Sequence, residues 1–358
     1  MELLINDKMS DFLDKVSSLL FLKHEQFLVE YYKGSGLSLD KEYFSLLNKV
    51  SKIKNLDRHF LDLYFGSFCN YEDVVNGNIF CLATSLYKIP ELYGKSFDEI
   101  IEHLSNYSDK KIKVNIIESI LYLCKDKIYK AEEVIEDEDK LFEVLSISNI
   151  NDQYKWRIFQ VLKEPKECML VFIRKLTEID SALNKSLSIL SGVREKWLLQ
   201  LREYPDEFSL NIIKTLKGEE YMKYNRINIF PTLIPYTATI SKSDSEVYLG
   251  LGYKVDSLFN VIKGQDDLDS ITNLLKSLSD KSKFKILKLL NGKKLYANEI
   301  AEILQLTNAT ISHHMRLMTI QELIKSTRIQ NRTYYYSNHE VIEKLINKLS
   351  KELLNKED

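Results

Sequence analysis

The chain has 358 residues, 44% of them hydrophobic and 28% charged, and 50 Lys and Arg against 52 Asp and Glu leave a formal net charge of −2. That is enough apolar material for a large core divided over two or three domains. No apolar run approaches the roughly 20 residues of a membrane span, and the opening MELLINDKMSDFLDKV has acids and amphipathic spacing where a secretory leader has a basic patch and an apolar block, so a cytoplasmic chain without membrane attachment is expected.

From residue 1 to about 225 the text is repeatedly helical. Phe12, Val16, Leu19 and Leu20 form one apolar stripe, Ile116, Ile120, Leu123 and Cys124 a second, and Leu183, Leu187 and Leu190 a third. Gly34-Ser35-Gly36, Pro90, Asn106 to Asp109, Pro165 and Pro205 punctuate the pattern, and no fixed-period repeat is present. Glu132 to Asp139 carries six acids in eight positions and reads as a solvated helix end, since a calcium loop needs spaced oxygens around a central glycine. The four cysteines, Cys69, Cys81, Cys124 and Cys168, stand apart and read as reduced, mostly buried thiols.

A search of this segment for catalytic chemistry finds no Walker loop, GxGxxG, GxSxG, HExxH or paired metal motif. His24, His59 and His103 stand alone and read as surface or core-edge histidines, because an active site needs a convergent constellation. Seventeen of the 21 tyrosines precede residue 268. They suit core packing, an effector pocket or a protein interface, each offering an apolar ring and a polar tip.

Residues 226–262 hold two of the five prolines and two alternating runs, Thr237 to Ser241 and Val247 to Val255, separated by Lys242 to Glu246. This predicts a small β-hairpin element over 226–263 that completes the N-terminal domain, with Gly264 to Asp267 as the linker to a C-terminal domain.

The most specific signal lies near the C-terminus. A short helix pattern, Ala297 to Leu304, is joined through Gln305-Leu306-Thr307 to a second one running to Met318, which is helix-turn-helix spacing. Thr307 is placed to cap the second helix. Ile311, Met315 and Met318 face its core, with His314 on the same stripe as a packed, hydrogen-bonded histidine. The opposite face carries Asn308, Ala309, Thr310, Ser312, His313 and Arg316, groups able to reach base edges and phosphates in a major groove. Ser326 to Tyr336 reads as two strands around Gln330-Asn331, a basic β-wing. From Leu268 onward 15 basic side chains face 10 acidic ones, net +5, whereas the remaining 267 residues hold 35 and 42, net −7. A basic small domain on an acidic large one points to a nucleic-acid partner at the C-terminal end.

Leu278-Ser279-Asp280-Lys281-Ser282-Lys283-Phe284-Lys285-Ile286-Leu287 resembles the L-S-D-P-T-R-L-R-I-L entry to the second helix of the ArsR family of bacterial transcription regulators, and Thr310 to Met315 is similar to its T-V-S-H-H-L. With the wing strand Arg332 to Tyr336, the resemblance covers most of residues 268–358. It implies a winged helix that dimerises through its first and last helices. Leu268, Ile271, Leu275 and Leu278 form one apolar stripe and Ile342, Leu345, Leu349 and Leu353 another, more exposed leucine than a monomer should carry. Metal-sensing members have a Cys-x-Cys pair where this chain has Tyr296 and Asn298. At a second family site His339 is one available ligand, with Ser350 and Leu353 where its partners belong, so neither a metal nor another cofactor is expected.

The expectation is a mainly α protein: a large helical N-terminal domain (1–225), the small β-element (226–263), and an ArsR-like winged helix (264–358). It would act, without being an enzyme, as a transcriptional regulator. A homodimer would bind a palindromic double-stranded DNA operator under control of a small-molecule or protein effector at the N-terminal domain. Asn308, Thr310, Ser312, His313 and Arg316 would meet bases and nearby phosphates, Arg328, Gln330, Asn331 and Arg332 would form the wing contact, and Lys283, Lys285 and Asn298 would be accessory phosphate ligands. The alternative is an enzyme or interaction module whose winged helix contacts protein.

Overall fold

The computed structural model describes residues 2–34, 37–68, 79–124, 129–148, 150–203, 224–257, 275, 278–307, 310–311, 314–315, 318–319, 323–329 and 332–354. The chain divides into two compact units. One comprises Met1–Glu25, Leu39–Cys69 and Asn78–Lys263, the other Gln26–Ser38, Asn70–Gly77 and Gly264–Asp358.

The fold is mainly α. Helices run α1 Ser10–Lys23, α2 Glu25–Gly34, α3 Lys41–Val50, α4 Arg58–Tyr64, the short α5 Leu82–Ser85 and α6 Ile89–Leu92, α7 Phe97–Ser105, α8 Asp109–Leu123, α9 Ala131–Ile135, α10 Glu138–Ile147, α11 Asp152–Lys163, α12 Pro165–Leu187 and α13 Ser191–Glu203. The sequence punctuation coincides with their ends for a physical reason. Ser108 Oγ accepts from Lys111 N at 3.2 Å to start α8, and Pro165, which has no N–H to lose, opens α12. In the acidic run Asp137 accepts from the amides of Asp139 and Lys140, so a residue of the expected solvated end is the N-cap of α10.

The β-element is larger than the expected hairpin. β3 (Ala238–Lys242) and β4 (Glu246–Gly252) do pair antiparallel, but they belong to a four-stranded sheet of order β1-β2-β4-β3, with β2 (Arg226–Thr232) parallel to both β4 and β1 (Glu2–Ile5). In β2 every residue from Ile227 to Thr232 is buried, so it lacks the alternation that marks a half-exposed strand. Trp197 and Leu201 of α13 pack with Ile227, Ile229, Val247, Leu249 and Leu251, and the indole N–H of Trp197 donates to the carbonyl of Leu251 at 3.0 Å. A Cβ at Gly252 would lie 1.9 Å from the Ile234 carbonyl oxygen, a backbone approach that excludes any side chain.

α1 joins this sheet to the helices. Phe12, Val16 and Leu19 of the expected stripe are buried and Leu20 is half-buried, but Leu13, Phe21, Asp14, Lys15 and Ser18 are buried as well, so α1 is enclosed rather than amphipathic. Its two charges are met. The Lys15 ammonium lies 2.6 Å from Asp11, 2.5 Å from Asp180 of α12 and 4.0 Å above the Phe97 ring. Asp14 pairs with Arg194 of α13 at 2.6 Å and accepts the backbone N–H of Leu233, just past β2, at 2.7 Å. Among the described residues Cys81 and Cys124 are buried and Cys168 half-buried, all as free thiols, and Cys69 lies outside them. No helix among the described residues is long and apolar enough to cross a membrane.

Burial pushes the Asp14 carboxyl up to about 7, against the pull of Arg194 and the Leu233 amide. Its folded value therefore exceeds its unfolded one, near 4. The native state holds the proton more tightly, so the stability linked to this group is complete below about pH 4 and is lost as pH rises through about 7. In thermal unfolding followed by circular dichroism, the wild type should lose more stability between pH 5 and pH 8 than Asp14→Asn. Superimposable pH profiles would refute the assignment.

Candidate nucleic-acid interface

The C-terminal unit is built outward from a small core. Asp280 caps α14 (Lys281–Leu290) by accepting from Ser282 N and Lys283 N, both at 2.9 Å. The bond from Lys283 outweighs burial and, helped by the charges of His314 and Lys283, holds this carboxyl below its ordinary value. Ile286, Leu287 and Leu290 of α14 face Ile300 and Ala301 of α15 (Ala297–Leu304), and Ile311, Met315, Met318, Leu323, Ile324 and Tyr335 complete the cluster.

The turn after α15 fixes the geometry. Gln305 stands in the left-handed region, φ 55 and ψ 42. Leu306 N donates to Ala301 O at 3.0 Å and Gln305 N to Glu302 O at 3.3 Å, the paired bonds of a Schellman ending, with Leu306 packed on the core. Thr307 Oγ1 then accepts from Thr310 N at 3.1 Å and lies 2.8 Å from the Thr310 hydroxyl, while Ile311 N donates to Thr307 O. Thr307 is the cap its sequence position suggested. Ile311, Met315 and Met318 are fully buried, as the stripe required, and His314 is half-buried beside them.

The wing is the next element. Leu323 N donates to Met318 O, and β6 (Ile324–Ile329) pairs antiparallel with β7 (Arg332–Ser337), Ile329 opposite Arg332, so the strands are joined through positions 330–331. β5 (Leu295–Tyr296) pairs with the other edge of β7. Tyr335 points into the core, whereas Tyr334 meets the Tyr296 ring edge-on at 5.8 Å and Tyr336 lies under the Lys294 ammonium at 5.2 Å. α16 (His339–Leu354) closes the unit.

Of the residues expected to meet DNA, Asn308, Ser312, His313, Arg316, Gln330 and Asn331, and the side chains of Arg328 and Arg332, lie outside the described residues. Thr310 is half-buried with its hydroxyl at the Thr307 cap, Asn298 and Lys285 are exposed, and Lys283 is half-buried. Leu268 and Ile271 of the expected interface also lie outside. Leu275 is 40% exposed, and Leu278, Ile342 and Leu349 are half-buried. Leu345 is 5% exposed, whereas Ile346, which the stripe passed over, is 54% exposed and Leu353 76%.

The positions that correspond to metal ligands carry other work. Tyr296 supplies a ring to Tyr334 and an amide to Glu299 Oε2 at 3.0 Å, Asn298 is exposed, and the His339 Nε2 sits 3.1 Å from Asn291 Oδ1. Ser350 is half-buried, and no group of three or more His, Cys, Asp or Glu suited to a metal occurs among the described residues. A phenol, an amide and one imidazole do not fit a thiolate or a carboxylate-imidazole centre. In the other unit, His24 is buried with its Nε2 2.6 Å from the Phe65 carbonyl oxygen, and burial lowers it to about 4. His59 is exposed, and His103 packs edge-on against Tyr107.

Residues 280–326 match the family model described as bacterial regulatory protein, arsR family. The chain is 34% identical over 80 residues to the arsenical resistance operon repressor of Staphylococcus aureus, covering 22% of this chain and 77% of that one. The chain belongs to the ArsR family. It is also 35% identical over 77 residues to the transcriptional repressor SdpR of Bacillus subtilis (strain 168), covering 22% of this chain and 86% of that one. The crystal structure of NolR from Sinorhizobium fredii matches 25% of this chain and 91% of its own at 19% identity with a TM-score of 0.22, and adds nothing to the assignment. As an ArsR helix-turn-helix protein the chain is a DNA-binding transcriptional regulator.

The left-handed Gln305 and the Thr307 cap set the angle between the two helices, and both are open to test. Gln305→Gly should stabilise the turn by about 0.5–1 kcal/mol, since glycine enters this region without a Cβ penalty, and Thr307→Ala should cost about 1 kcal/mol. Hydrogen-exchange protection across 297–319 should rise in the first and fall in the second. Movement in the opposite direction in either variant would contradict the geometry.

Proposed function

We propose that this ArsR protein binds a palindromic operator as a homodimer through residues 264–358, and that residues 1–263 receive a small-molecule or protein signal other than a metal ion. The observation that carries the reading is the capped helix after Thr307, clamped to the core by Ile311, Met315 and Met318. At about 100° per residue, a helix anchored in this way would carry Asn308, Ser312, His313 and Arg316 on the face opposite those three side chains, toward a major groove, with Thr310 at its edge. Arg328, Gln330, Asn331 and Arg332 would sit at the wing on an adjacent minor groove or backbone, and Lys283, Lys285 and Asn298 on phosphates. The net +5 of residues 268–358 against −7 elsewhere supports selective polyanion attraction at this end.

In mobility shifts on the gene's own upstream region, Arg316→Ala and Arg332→Ala should each weaken binding, and each lost phosphate contact should lower the salt slope by about one unit. Chelator or added zinc should change affinity by less than about threefold, below the coupling of a genuine effector. Unaltered binding in both arginine variants would remove the assigned face, and a reversible zinc effect abolished by His339→Ala would restore metal sensing.

For the dimer, the exposed apolar side chains of α16 support an interface centred on Ile346, Leu353 and Leu354, with Leu349 at its margin and Leu275 from the preceding segment. Ile346→Glu with Leu353→Glu should give a folded monomer by light scattering. A dimer of undiminished affinity would place the contact elsewhere.

A further inference from the structure

The surface of the C-terminal unit carries a second cationic feature that the helix-turn-helix and wing do not use. From Lys281 to Lys294 the chain holds six lysines and no acid. Lys285, Lys288 and Lys293 line a shallow groove of about 330 Å³ with Asn291 beside them and Leu289 and Leu304 as its apolar surface. All three lysines are exposed, and among the described residues no ion pair or hydrogen bond holds any of their ammonium groups. By contrast Lys294 rests over Tyr336, and Asn291 is fixed by His339.

Three like charges around one concavity, with no acidic partner among the described residues, repel one another unless an anion enters. On α14, Lys281, Lys285 and Lys288 have i, i+4, i+7 spacing, which at 1.5 Å per residue strings positive charge over roughly 10 Å of one helix face. A single small ion needs only one such point, whereas a strip of this length matches successive phosphates of one strand. Lysine suits that partner, because it serves phosphate as a point charge without demanding bidentate geometry.

We propose that the Lys285–Lys288–Lys293 groove is a phosphate-binding subsite that takes the DNA backbone beyond the bases read by the recognition helix, extending the footprint without adding sequence information. The inference rests on the DNA-binding reading above. It adds Lys288, Lys293 and Asn291 to the interface, and it gives Leu304, three residues before the Thr307 cap, a place on the boundary between backbone contact and base contact.

The test uses the full-length chain with lysines 285, 288 and 293 all changed to Gln, beside a control with Lys49, Lys52 and Lys54 changed to Gln, on operator and scrambled duplexes between 50 and 200 mM salt. The groove variant should lose about 2 to 3 units of salt slope and weaken on both duplexes alike, leaving their affinity ratio as in the wild type, and the control should keep the wild-type slope. Inorganic pyrophosphate, followed by ³¹P NMR, is the arm for a free phosphate compound. Saturable pyrophosphate binding lost in the groove variant, with an unaltered duplex slope, would overturn the DNA source in favour of a small phosphorylated ligand. An unaltered slope without pyrophosphate binding would overturn the subsite altogether while leaving the operator reading intact. A wild type that binds no duplex would instead remove the reading on which the subsite rests.

Discussion

The larger unit depends on one constraint: α1 is enclosed, and it carries an aspartate and a lysine into the enclosure. A charge left unpaired there would cost several kcal/mol, so each must be met, and the partners come from separate elements. Lys15 draws in α12 through Asp180 and the start of α7 through Phe97, and Asp14 draws in α13 through Arg194 and the end of β2 through the Leu233 amide. Apolar contacts alone tolerate sliding, because they are non-directional. Two hydrogen-bonded charges do not, and they fix the sheet in register against the helices.

The smaller unit solves a different problem, the anchoring of the helix that follows Thr307 at a fixed angle. Its means are local. A left-handed residue ends one helix, a threonine starts the next two positions later, and three apolar side chains pin the second helix to a core that the wing strand completes with Tyr335. None of these contacts needs a distant part of the sequence, which is why such a unit is transferable between otherwise different chains. The matched relatives each align with about a fifth of this protein, as a portable unit of this kind leads one to expect.

That locality also explains how much was legible. Helix-turn-helix spacing, the Thr307 cap, the Ile311-Met315-Met318 stripe and the two wing strands are short-range patterns, and each could be read from a window of a dozen residues. β1 could not, because Glu2–Ile5 becomes a strand only by pairing with Arg226–Ile229, more than 200 positions away. β2 hid for two reasons. It is buried on both faces, so no alternation betrays it, and Pro231 argues against a strand, although the β1 ladder has ended at Ile229 before the proline is reached. Gln305 gave no warning of a left-handed turn, which glycine or asparagine would have announced. On α16 the periodic leucines did mark an apolar face, but periodicity cannot tell which part of that face is covered: Leu345 is buried and Ile346 exposed.

Residues 268–358 differ in charge from the 267 residues before them, and under the proposed division of labour that difference would constrain how a signal acts on DNA binding. A field of net −7 on one part and +5 on the other is sequence-independent and acts on any polyanion, so it sets non-specific affinity without distinguishing operators. Discrimination would come, under the proposed reading, from groups at base edges on the helix that the Thr307 cap and the turn before it anchor. Under the proposed reading, an effector acting on residues 1–263 could modulate binding in either of two ways, by changing how the acidic surface is disposed toward DNA or by changing the angle of the capped helix. The first would alter affinity for all sequences together and weaken with added salt. The second would alter the ratio between operator and non-operator DNA. Only differential contacts with two conformations of the protein could produce either, and because the ion pairs of α1 with α12 and α13 oppose small, graded deformation of the larger unit, a signal received there would have to engage a discrete rearrangement.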